Sequence, residues 1–191
     1  MRFNDHSRLA GEHSFLSASK YSWLNYDESK LVDRYSTAQA AAFGTRLHAL
    51  AAEHITLGMK MPRNNVTFNQ YVNDAIGFRM TPEQVLFYSV NAFRTADAIR
   101  YDEPDAKHKG QLRIHDLKTG TTRVSIKQLE IYEAYFCLEY AVRPFDIDAE
   151  LRIYQNDDIL VHHPEPEEIL YVMDKIVQFD KIIDSLKEEG L

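Results

Sequence analysis

At 191 residues the chain is long enough for one sizeable core, and with 45% hydrophobic and 27% charged residues it is no disordered chain. Its single cysteine, Cys137, excludes an internal disulfide and any cysteine-rich metal or iron–sulfur site built from this chain alone. The net charge of −7 argues against a polyanionic partner until its distribution is read, since Lys107 to Lys127 carries +5 while Phe145 to Leu191 carries −9. A basic middle and an acidic tail are compatible with phosphate binding on one face, and equally with solvated surface charge.

The opening residues hold no apolar core of signal-peptide length, and no apolar stretch nears the roughly 20 residues of a membrane span. The expectation is a cytoplasmic protein without membrane contact. Ser17 or Ser19 is placed to cap a short helix over Lys20–Asn25 that buries Trp23 and Leu24. Ser36 or Thr37 precedes AQAAAFGTRLHALAAEHITL, a run of high helical propensity that stops at Gly58. Thr67 and Gln70 have capping-box spacing for a helix to about Phe78. Gln84–Val90, Ala96–Tyr101 and Leu112–Leu117 change period and read as a meander of strands. A helix with a broad apolar face follows Gly120. Phe145–Tyr154 and Ile159–His162 return to strand character around the turn QNDD, and Pro164 and Pro166 open a last amphipathic helix to about Glu188. No repeat or low-complexity linker divides the chain. It reads as one α/β domain around a mixed sheet, with its core at about 36–154, an N-terminal helical extension at 1–35 and an acidic C-terminal helix at 165–191.

Within this frame a few residues carry chemistry. Gly44 and His48 share one face of the first long helix, and a glycine there implies a close neighbour. Asp97 and Asp116 lie in otherwise apolar strands, where an ionised carboxylate needs a compensating cation. Converging at one sheet edge, the two would offer the oxygen ligands that hard Mg²⁺ prefers. Asp116 and Lys118, two apart on a strand, project together while Leu117 enters the core. A metal-binding carboxylate beside an ammonium that holds water or a phosphate oxygen suits phosphodiester hydrolysis; a surface ion pair fits as well. Gly120 would let the backbone turn away and keep the site open. Gln128 and Tyr132 lie four apart on the next helix, whose N-terminus favours anions, although Ser125 and Gln128 also have capping-box spacing and Tyr132 also suits a core.

Taken in order, Gly44-x-x-x-His48, Thr95-Ala-Asp97, Asp116-Leu-Lys118 and Gln128-x-x-x-Tyr132 resemble the PD-(D/E)XK nuclease superfamily, and within it the RecB-like and phage lambda-type (YqaJ-like) exonucleases. The similarity covers about Ser36 to Tyr154, and the segment LSASKYSWL adds to it. The resemblance implies a restriction-endonuclease-like core of αβββαβ order. It implies one or two Mg²⁺ or Mn²⁺ ions held by His48, Asp97, Asp116 and the carbonyl of Leu117, with Asp97, Asp116 and Lys118 catalytic and Lys118 orienting the water. Gln128 and Tyr132 would contact the phosphate backbone or brace the lysine. Arg94, where relatives commonly have glycine, is read with Arg123 and Lys127 as a phosphate contact. The four cysteines of iron–sulfur relatives are missing, so no such cluster is expected.

The leading expectation is a divalent-metal-dependent DNA exonuclease acting at linear ends. It would be encoded by a phage or prophage, work in recombination or repair in the bacterial host cytoplasm, and have a single-strand annealing or single-strand-binding protein as partner. A ring-shaped trimer or tetramer, with basic residues lining the hole, would reconcile an acidic chain with a DNA substrate. The alternative is a catalytically inactive nuclease-fold module that binds DNA or protein. KTGTT is not a nucleotide loop, because no GxxxxGK[ST] precedes a helix.

Overall fold

The computed structural model describes residues 4–122 and 124–190. Helix α1 spans Glu28–Leu57 and α2 Thr67–Gly77; strands β1, β2 and β3 span Thr81–Ser89, Ala92–Asp102 and Gly110–Leu117. Helix α3 (Lys127–Tyr140), β4 (Ile147–Gln155), β5 (Asp158–His162) and α4 (Pro166–Glu188) complete the chain. The order and types of the main elements are those the hydrophobic periods predict. The residues group into two compact units divided between Phe43 and Gly44, inside α1, a boundary that no composition shift marks.

In the first unit a 3₁₀ segment, Ala18–Asn25, follows Ser17, which makes no capping hydrogen bond. Trp23 donates its indole N–H to the Ser17 carbonyl at 3.0 Å and is half-buried, but Leu24, expected inside, is 66% exposed. Helix α1 starts well before Ser36. The Asp27 carboxylate accepts the Lys30 N–H at 2.8 Å and caps it, while Thr37 lies inside the helix and bonds back to the Asp33 carbonyl at 2.8 Å.

The second unit is an α/β layer: one five-stranded mixed sheet in the order β1-β2-β3-β4-β5, flanked by helices. The first three strands form an antiparallel meander, β3 and β4 run parallel across the α3 crossover, and β5 returns antiparallel. The last hairpin turns on Asn156 and Asp157, both at positive φ, as a two-residue type I′ turn demands. Asp157 also takes over the cap expected of Thr67: its carboxylate accepts the Thr67 N–H at 2.9 Å, tying α2 to the β4–β5 turn.

One apolar layer packs Leu86, Ile99, Leu112, Ile114 and Leu151 against Leu129, Tyr132 and Phe136 of α3 and Ile169 of α4. The other packs Ala98, Leu117 and Tyr154 against Ala51 and Ile55 of α1 and Tyr71 and Val72 of α2. Strand β3 is central and almost continuously buried, which fixes its direction and register to the last residue. No helix among the described residues is long and apolar enough to cross a membrane.

Candidate metal centre

The chemistry-bearing residues meet where β3 ends. Ala96 belongs to the α3-side layer and Ala98 to the α1-side layer although they are two residues apart, so the pleat of β2 is interrupted at Asp97. Opposite it on β1 stands Glu83, held at φ +51°, and no ladder pair joins the two although Pro82↔Ala98 and Gln84↔Ala96 flank them. A non-glycine residue at positive φ inside a strand stores strain, of order 1–3 kcal/mol, of the kind that clusters at functional sites.

Asp97 uses one oxygen for two contacts: Oδ2 accepts the Leu117 N–H at 2.9 Å and lies 3.2 Å from His48 Nδ1. The Asp97 hydrogen bond holds the His48 imidazole above its usual pKa, against the opposing effect of burial. His48, Glu83 and Asp97 bring one ligand atom each within 4.8 Å of one another. Burial and the Asp97 charge raise the Glu83 carboxyl, with His48 opposing.

Asp116, 1% exposed, is beside this triangle rather than within it. The expected trio of His48, Asp97 and Asp116 therefore does not close as tightly as the one containing Glu83. Asp116 is instead paired with Lys118, whose Nζ lies 3.0 Å from Asp116 Oδ1 and 2.9 Å from Oδ2. Burial first and the Asp97 charge second raise the Asp116 carboxyl to about 6, with Lys118 and His48 opposing. Its Oδ2, although near the ammonium, makes no directional hydrogen bond and is sealed from solvent. Lys118 also donates to Gln128 Oε1 at 3.0 Å, and Gln128 Nε2 donates to the Tyr132 hydroxyl at 2.6 Å. The ammonium can only donate, so the Lys118 contact fixes the amide oxygen toward the lysine and leaves the amide N–H for the hydroxyl. Ser125 does cap α3, accepting the Lys127 N–H at 3.2 Å, but Gln128 plays no part in the cap.

Gly44 earns its place by close approach, since a Cβ there would lie 2.7 Å from Thr119 Oγ1, just beyond β3. Gly120 does not turn the chain by conformational freedom, for its φ is not positive. Instead Gln155 donates to the carbonyls of Gly120 at 2.5 Å and Thr122 at 2.8 Å and pins the loop from outside.

Leu117 is buried, and its N–H serves Asp97. Arg94 is exposed and pairs in register with Leu86, whose side chain enters the α3-side layer; by alternation Arg94 projects to that side, away from α1. Lys127 is turned to Glu130 Oε2 at 2.7 Å. Arg123 lies outside the described residues. Three of the six basic residues of the middle are thus engaged within the fold: Lys118, Lys127 and Arg113, which lies within 3.6 Å of both Asp102 and Glu150. A second group, Glu130, His162 and Glu168, could also hold an ion, but Lys127 already sits on its buried carboxylate.

Sequence reasoning missed Glu83 because it began the first strand at Gln84, three residues after the start of β1 at Thr81. It also missed the support behind Asp116. His115 is fully buried and, through burial and the charges of Arg152 and Arg113, kept neutral with a pKa of about 3. Its Nδ1 lies 3.2 Å from the Tyr154 hydroxyl, which donates to Asp74 at 2.8 Å.

The donor set of carboxylate oxygens and one imidazole suits Mg²⁺ or Mn²⁺ better than a thiophilic ion, and Asp116 Oδ2, which makes no directional hydrogen bond, is a further oxygen that an ion could take over from Lys118. The residues fit such an ion. No protein-family model, no curated protein and no solved structure matches the chain.

Proposed function

We propose that the protein is a divalent-metal-dependent DNA nuclease that hydrolyses phosphodiester bonds at the ends of linear DNA. The observation that carries this reading is the meeting, at one end of β3, of His48 from α1, Glu83 and Asp97 from β1 and β2, and the Asp116–Lys118 pair braced by Gln128. A structural ion pair needs none of the other members. His48, Glu83, Asp97 and Asp116 are the residues that would hold Mg²⁺ or Mn²⁺. Bound there, such an ion would polarise a phosphoryl oxygen and lower the pKa of water.

The chain's own residues supply the rest. The Lys118 ammonium has three donors, of which Asp116 and Gln128 engage two. The third can orient a water or meet charge developing on a phosphate oxygen, and its direction is fixed by the two bonds already made. Gln128 and Tyr132 act as positioning residues through Lys118. The resemblance in the order of these residues extends the proposal to an exonuclease of recombination or DNA-end repair in a phage or prophage.

The test is cleavage of end-labelled linear and closed circular DNA with Mg²⁺, Mn²⁺ or chelator. Loss of labelled ends from linear DNA only, abolished by chelator, supports the reading. Cutting of closed circles moves it to an endonuclease, and no cleavage with either ion removes it.

A further inference from the structure

Along the β1–β2 hairpin from Glu83 and Asp97, Phe87 and Phe93 are register partners, with the small pair Val85·Thr95 lying between. Because Leu86 enters the layer packed on α3, its neighbours Val85 and Phe87 project to the other face, the face that α1 and His48 occupy. Phe87 is 44% exposed and Phe93 54%. Their ring centroids are 6.1 Å apart and the planes are tilted by 36°, so the pair presents aromatic surface rather than closing on itself. At the rise of a strand, the four residues from Asp97 to Phe93 cover about 13 Å, a reach of a few nucleotides.

The charge at the centre makes this position informative. A phosphodiester approaching it meets Glu83, Asp97 and Asp116, while Arg113, Lys118 and Lys127 are already engaged by Asp102 and Glu150, Asp116, and Glu130. A polyanion therefore finds little spare positive charge among these residues, and the grip on it has to come from elsewhere. Bases have apolar faces that stack on aromatic rings whatever their sequence, but only when they are unpaired.

We propose that Phe87 and Phe93 form a stacking platform for unpaired bases of the strand whose phosphodiester lies at the metal centre, so that the protein grips single-stranded rather than duplex DNA beside its site. The inference rests on the nuclease reading above and names the form of its substrate. The test is fluorescence anisotropy of a labelled single strand and of a blunt duplex, in chelator so that binding is read without cleavage. The proteins are the parent and the paired variants F87A/F93A, F87L/F93L and F87Y/F93Y, with light scattering on each. Stacking predicts single-strand affinity lower by roughly 5- to 100-fold in both the Ala and the Leu pairs. It also predicts parental affinity in the Tyr pair and unchanged duplex binding.

Parental single-strand binding in the Leu pair overturns stacking, because leucine keeps the apolar area and loses the ring. Equal losses on strand and duplex overturn the preference for unpaired bases. An oligomeric parent that F87A/F93A converts to monomer assigns the patch to a second copy of the chain and also overturns it. A parent that cleaves DNA while F87A/F93A binds strands as the parent does loses this inference and keeps the nuclease reading; a parent that neither binds nor cleaves loses both.

Discussion

Glu83 offers a test in which stability and function move in opposite directions. Its φ of +51° is one that glycine adopts freely, and the left-handed conformation costs another residue about 1–2 kcal/mol. Glu83→Gly recovers that strain and gives back about 0.5–1 kcal/mol through the greater freedom of the unfolded chain. The net expectation from the backbone is a variant more stable by up to about 1.5 kcal/mol without divalent ion, or up to about 6 °C in melting temperature for a chain of this size. Glu83→Gln keeps the backbone and the side-chain size but removes the anionic ligand, so it separates the two effects. Both variants are expected to bind Mn²⁺ at least about 10-fold more weakly by titration calorimetry, and both shed the burial and Asp97 repulsion that raise the Glu83 carboxyl, so the strain is read as the melting temperature of the glycine variant above that of Glu83→Gln. Parental Mn²⁺ affinity in Glu83→Gln would remove Glu83 from the centre. A glycine variant that melts below Glu83→Gln would refute the strain argument while leaving the ligand argument standing.

Asp116→Asn keeps the shape of the carboxylate and is expected to lower Mg²⁺-dependent cleavage by at least about 10²-fold with a parental circular dichroism spectrum; undiminished cleavage would rule out the site. Lys118→Ala should lose as much activity and in addition destabilise the fold, since it strips the buried Asp116 of its cation, and a denaturant titration reads that second loss. Glu133, 2% exposed, has an unpartnered Oε2 and is raised by burial, then by the Glu130 charge, from 4.5 to about 8. Between those values the folded chain holds a proton that the unfolded chain has lost, so this contribution to stability is present below about 4.5 and disappears as pH rises towards about 8, at about 1.4 kcal/mol per pH unit. Glu133→Gln should flatten the decline in urea-unfolding free energy from about pH 5.5 to about pH 7.5, by up to 2–3 kcal/mol; parallel declines in variant and parent would show that Glu133 is not the source. Because Arg113, Lys118 and Lys127 are internally paired, DNA affinity should fall with salt at a log–log slope shallower than about −2. A slope near −5 would mean that those pairs open onto phosphates.

The fold was legible wherever one period dominated. The alternation of RIHDL gave β3 its place, and the apolar face of SIKQLEIYEAYF gave α3. Ends were less legible because their caps come from elsewhere: Asp27 starts α1 before the alanine-rich run, and Asp157, ninety positions away, caps α2. The Asp116–Lys118 pair could be read from spacing alone, since residues two apart on a strand share a face whatever surrounds them. Glu83 could not, because its contribution depends on an interruption of the pleat opposite Asp97 that no periodicity encodes. The pairing of the basic stretch was not legible for a related reason: a local charge of +5 says nothing of the distant partners, Glu150 among them, that the sheet brings to it.

The same pairing explains how a chain of charge −7 keeps acidic groups at its core. His48 faces Asp97 and Lys118 faces Asp116, each cation supplied by a different element from that of the other pair, so each carboxylate's charge is met before any ligand arrives. A divalent ion entering the centre competes with those pairs, whereas Glu83 has no protein cation bonded to its carboxylate among the described residues. Glu83, eased by the nearby His48 charge but bonded to no cation among those residues, is therefore the ligand whose negative charge a metal would offset most directly, and a strained backbone places it there. That combination separates a residue kept for coordination from one kept for stability, and it is why the glycine and glutamine substitutions at this position test the metal centre more sharply than removal of Asp97 or the buried Asp116.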